Sequence, residues 1–157
     1  MFLKCYEVRS SDEDHTVCLM IRAEAPESER QSFEVAAQAA STVGLCVSVD
    51  HASRWPWARQ RPARASISED ATCACSLLSD DADWNAESWA MRPEAREALA
   101  RTIEVLTRQG PSHLTIQAIW VGDNSQEEVS VSPNELVALA AAGRLGTRTR
   151  YLVERKV

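Results

Sequence analysis

Two cysteines one residue apart, Cys73-Ala74-Cys75, form the only local chemical motif in this sequence. In an extended segment, residues two apart share a face, with Cα atoms about 6.5 Å apart. Two thiols so placed could begin a soft-metal site or a redox pair. Zinc held structurally needs four ligands, and no second cysteine pair exists. Completion would need Cys46, His51 or His113 to converge from elsewhere. His51 follows Asp50 at the end of an expected strand, where open α/β sheets often place functional groups. From there it could also serve as a base to a thiol nucleophile. The simpler reading makes Cys73 and Cys75 small core side chains beside Ala74, Leu77 and Leu78.

The second concentration of chemistry precedes the cysteines. Between His51 and Ser66 stand Arg54, Arg59, Arg61 and Arg64, no acids, and the tryptophans Trp55 and Trp57. Trp and Arg are the side chains most enriched at binding hot spots. Arginine beside an aromatic ring can hold a phosphate, a carboxylate or a stacked base. The leading expectation is therefore a non-catalytic binding or regulatory module. It would engage a protein or a small anionic ligand through segment 54–64, with no cofactor. The alternative is the thiol site on Cys73 and Cys75, joined by His51, holding zinc or another soft metal. A competing structural reading buries Trp55 and Trp57 and pairs the arginines with the acidic run from Glu69 to Glu87.

Other chemistry is absent or thin. Asp80, Asp81 and Asp83 lack the glycine and terminal glutamate of a calcium loop. There is no GxSxG, HExxH, glycine-rich phosphate loop or paired CxxC. The net charge of −6 disfavours a nucleic-acid or anionic-membrane surface, since phosphate binding needs local positive charge. No apolar run reaches the roughly 18 residues of a membrane span, and the first residues lack a secretory pattern. The five cysteines, an odd and scattered set, then read as reduced thiols of a cytoplasmic protein. Fifteen Arg against two Lys point to GC-rich coding, as in many bacteria.

These residues need a frame. A chain of 157 residues, 45% hydrophobic and 25% charged, fits one domain with a full core. Phe2–Val8 and Thr16–Ala23 read as strands around an acidic turn at residues 11–14. A helix is expected from Pro26 to Gly44, with Phe33, Ala36, Ala37 and Ala40 as its apolar stripe. Leu45, Val47 and Val49 alternate in a third strand. After an irregular stretch from about 50 to 91, Pro93–Gln109 reads as a helix and His113–Val121 as a strand. Residues 122–125 turn the chain, and Glu128–Val131 is expected to return as the hairpin partner of that strand. Ser132-Pro133-Asn134-Glu135 is a capping box opening another helix, and Arg148–Val153 is a last strand. The expected fold is α+β, with a mixed or mostly antiparallel sheet covered by about three helices. Edge strands of the terminal hairpins offer a route to a homodimer.

Overall fold

The computed structural model describes residues 6–10, 13–50, 61–70, 73–79, 90–120 and 127–155, with only the backbone at 6–10 and 13–17. Trp55, Trp57, Arg54, Arg59 and His51 lie outside the described residues, as do Asp80, Asp81 and Asp83.

In chain order the elements are β1 (Tyr6–Ser10), β2 (Glu13–Val17), β3 (Leu19–Ala25), α1 (Arg30–Val43), β4 (Cys46–Val49) and β5 (Ala63–Ser68). There follow α2 (Pro93–Gln109), β6 (His113–Trp120), β7 (Glu127–Val131), α3 (Pro133–Ala141) and β8 (Thr149–Glu154). Short 3-10 turns occupy Glu27–Glu29 and Ala74–Leu77. β1 and β2 form a separate antiparallel hairpin, while six strands form one sheet in the order β4-β5-β3-β6-β8-β7. This is the expected α+β architecture with a single mixed main sheet. No helix among the described residues is long and apolar enough to cross a membrane.

Strand alternation sets the two faces. Leu19, Ile21, Ala23 and Ala25 of β3 are buried on the same side as Ile116 and Ala118 of β6, Ala65 and Ile67 of β5, and Tyr151 of β8. The three helices cover this side, α1 beside α2 and α2 beside α3. Phe33, Ala36, Ala37 and Ala40 form the buried stripe of α1, as their spacing predicts. The helix end is tied to α2 through Thr102. Its hydroxyl donates to the Ala98 carbonyl (2.8 Å) and accepts from the Leu45 amide (2.8 Å). Gly44 permits this approach, because a Cβ there would lie 2.6 Å from the Ala98 carbonyl oxygen. The α3 capping box forms as expected: the Glu135 amide donates to the Ser132 hydroxyl (3.3 Å) and the Ser132 amide to the Glu135 carboxylate (2.7 Å).

Three expectations need correction. The hairpin of Glu128–Val131 with the preceding strand does not form; β7 pairs in parallel with β8, which lies between it and β6. The pattern of side chains explains the order. β8 buries Tyr151 and Val153, whereas Glu127, Glu128 and Ser130 of β7 are exposed, which suits an edge. α3 serves as the crossover that a parallel pair requires. The second expected strand divides at Cys18, with Glu13 and Asp14 belonging to β2 rather than to the turn. The stretch 50–91 contains β5, which sits between β4 and β3 inside the sheet. Its small residues give a weak strand signal, yet Ala63, Ala65 and Ile67 alternate into the core. The main sheet's edges are therefore β4 and β7, and the amino-terminal hairpin supplies neither.

Candidate metal centre

Cys18 is the residue between β2 and β3, where the chain leaves the small hairpin for the main sheet. Cys73 caps the 3-10 turn Ala74–Leu77 from an extended conformation (φ −105°, ψ 162°), and Cys75 lies within the turn. Because the segment curls at this point, its two sulfurs are not simply side by side on a strand. They meet a third: the Sγ atoms of Cys18, Cys73 and Cys75 all lie within 4.8 Å of one another. None of the three is disulfide-bonded.

Packing fixes the turn. Ala74, Cys75 and Leu77 are buried, and the turn rests against β3 and β5. Its exit is paired with the chain leading into α2: the Ser79 amide donates to the Ala90 carbonyl (2.8 Å) and the Arg92 amide to the Leu77 carbonyl (3.0 Å). The Arg92 guanidinium adds bonds to the Ser76 carbonyl (3.0 Å) and the Glu69 carboxylate (2.5 Å). Glu69, the first acid of the run to Glu87, is thus paired with Arg92.

Burial governs the innermost thiol. Cys75 is only 1% exposed, while Cys18 and Cys73 are half-buried. Burial pushes the Cys75 thiol up to about 12; the Leu19 amide, donating to its sulfur at 3.2 Å, opposes this, and the neighbouring Cys73 and Cys18 add to it. At neutral pH Cys75 is therefore a protonated thiol. It is a poor nucleophile, which weakens the idea of an activated thiol at this position.

A soft cation changes the balance. Thiolates favour Cu(I), zinc and related thiophilic ions. At a Zn–S length of about 2.3 Å, two sulfurs of a tetrahedral site stand about 3.8 Å apart. The observed spread is close enough for rotamer adjustment to bring all three sulfurs onto one ion. No carboxylate or imidazole among the described residues belongs to the group.

The third ligand is not one that the sequence nominated. Cys46 sits on edge strand β4 opposite Ser68 and is not a member of the cluster. His113 lies at the start of β6, with Nδ1 2.8 Å from the Glu29 carboxylate. Cys18 carried no local mark; only the break between β2 and β3 points its side chain to the turn. Of the binding segment, Arg61 is exposed. Arg64, on β5, forms an ion pair at 2.9 Å with Glu24 of β3.

Searches against known protein families, curated proteins and solved structures find no match for this chain.

Proposed function

We propose that this chain is a binding module for a soft, thiophilic metal or metalloid ion, held by Cys18, Cys73 and Cys75. The carrying observation is the convergence of three sulfurs within 4.8 Å from two segments about fifty-five residues apart. The amide of Leu19 aimed at Cys75 Sγ supports it, because such donors stabilise a thiolate once an ion has displaced its proton. The fastening of the turn by Leu77, Ser79 and Arg92 supports it as well, since a site on a fixed frame loses less entropy on binding.

The test is stoichiometry. The full chain, reduced and freed of metal, should take up one thiophilic ion and in doing so shield three thiols from alkylation. Substituting any one of the three cysteines by serine should lower that count. Uptake of no ion by the reduced chain would remove the proposal. Recognition of a protein or small anion through segment 54–64 now stands second. Arg64 is engaged by Glu24, while Arg61 is exposed.

A further inference from the structure

Thiols gathered this closely can also react with one another. The sulfurs of Cys18, Cys73 and Cys75 lie within 4.8 Å of each other as free thiols. Turning the side chains about their Cα–Cβ bonds brings sulfurs so placed toward bonding distance. The native packing already holds the entry of β3 against the 3-10 turn, so a link between Cys18 and that turn joins segments that are neighbours in the fold.

Exposure and hydrogen bonding select the pair. Cys18 and Cys73 are half-buried, so a small oxidant can reach them, whereas Cys75 is 1% exposed. The Cys75 sulfur also accepts the Leu19 amide at 3.2 Å. Drawing it into a disulfide would strip that buried amide of its acceptor, which is costly. A Cys73–Cys75 link would in addition close a small ring through Ala74, against the extended backbone of Cys73 and the 3-10 turn that follows. A Cys18–Cys73 link disturbs neither. We infer that Cys18 and Cys73 form a hydroperoxide-sensitive redox pair, whose disulfide withdraws two of the three sulfurs from a bound ion. The release of the ion rests on the soft-ion reading above; the cross-link itself does not.

The chemistry takes two balanced steps, with a hydroperoxide as the oxidant. The sulfur of one half-buried cysteine attacks the peroxide; the O–O bond breaks, an S–O bond forms, and water or an alcohol leaves. The resulting sulfenic acid is then attacked by the second sulfur. Its S–O bond breaks, the S–S bond forms, and the departing hydroxide takes the second thiol's proton as water. Two thiols have lost two electrons and the peroxide has gained them. A low-molecular-weight thiol reverses the process by exchange through a mixed disulfide.

The experiment uses the full chain carrying Cys5→Ser and Cys46→Ser, so that the cluster's thiols are the only ones left. The reduced, metal-free protein is treated with one equivalent of hydrogen peroxide and mapped by mass spectrometry. The expected product has lost two hydrogens, and fragmentation of its cross-linked peptide places the bond between Cys18 and Cys73. Once peroxide is removed, affinity for Zn²⁺ or Cu(I), read by chelator competition, should be at least about 100-fold below that of the reduced chain. Dithiothreitol should restore it. If the reduced chain binds ion through its thiols but peroxide yields no disulfide, a sulfinic acid or a link to Cys75, the redox inference is overturned while the soft-ion reading stands. If the Cys18–Cys73 bond forms but the reduced chain takes up neither ion, the redox pair stands and the soft-ion reading falls. An affinity unchanged by full cross-linking would place the ion elsewhere and overturn both. The same map on the wild-type chain answers the question if the double variant is unstable.

Discussion

The two ends of β3 deal with buried polar groups in opposite ways. Near Ala25, the Glu24 side chain is only 10% exposed, and its carboxylate meets Arg64 at 2.9 Å and Arg150 at 3.2 Å. Arg150 reaches on to Glu128 at 3.5 Å. Charge there is answered by charge within the protein. Near Leu19, three sulfurs gather, and burial keeps the Cys75 thiol protonated. That end is stable as neutral thiols, yet it holds the capacity for three negative charges. An ion of suitable softness can call on that capacity. The contrast separates a polar cluster that stabilises a fold from one suited to take up a partner.

The contrast breaks most visibly in a pair of substitutions read by two assays. Cys75→Ser removes the innermost sulfur and should lower soft-ion affinity by about 100-fold, at the upper end of losses seen for altered metal-site shells. Competition with a coloured chelator measures this. Glu24→Ala should leave that affinity unchanged. In urea denaturation the order reverses. Glu24→Ala leaves Arg64 and Arg150 without their shared acid and should cost about 2 kcal/mol, below the usual buried-pair loss because both guanidiniums keep solvent contact. Cys75→Ser should cost about 1 kcal/mol, for a hydroxyl less suited to an apolar pocket.

A subtler effect follows from the Cys75 thiol being raised from 9.0 to about 12. The folded state holds this proton where the unfolded state has released it, so unfolding free energy falls as pH rises between those values. The contribution is whole below about pH 9. The wild type should therefore lose more stability than Cys75→Ala across that window, as followed by urea midpoints at several alkaline pH values. Bound ion should abolish the difference, since the sulfur no longer titrates.

The smallest effect belongs to the clasp between the approach to α1 and the start of β6. Glu29 accepts from the Ser112 amide and sits against His113 Nδ1. Burial draws the Glu29 carboxyl up, but hydrogen bonds from the His113 side chain and the Ser112 and His113 amides outweigh it and leave it lowered. The His113 imidazolium is raised in return, chiefly by its hydrogen bond to Glu29. The His113 contribution is present below its unfolded value near 6.5 and is lost as pH rises through the raised folded value. The Glu29 contribution is present above 4.5 and fades as pH falls through its lowered value. In a proton NMR titration, Glu29→Gln should move His113 back toward its ordinary value. Ion binding at the far end of the sheet should leave it in place.

Local signals in the sequence carried much of the frame. The capping box at Ser132 and Glu135, the alanine stripe of α1 and the alternation in β3 and β6 each depend on residues within one element, and each is found where expected. What was not legible depends on choices between distant segments. Nothing near Thr149–Glu154 says that β8 inserts between β6 and β7, because several strand orders satisfy the same alternation. The pairing of Arg64 with Glu24 follows from β5 lying beside β3. The candidate site was half visible for the same reason. Cys73 and Cys75 announce each other by spacing, whereas Cys18 becomes their neighbour only through the packing of the 3-10 turn against β3.

The most direct measurement is X-ray absorption at the edge of the bound ion, on the chain loaded with whichever thiophilic ion it holds most tightly. Three sulfur neighbours at bonding distance, close to about 2.3 Å for zinc, and two after Cys18→Ser, are the predicted result. A first shell of oxygen and nitrogen, or a sulfur count untouched by that substitution, would contradict the account.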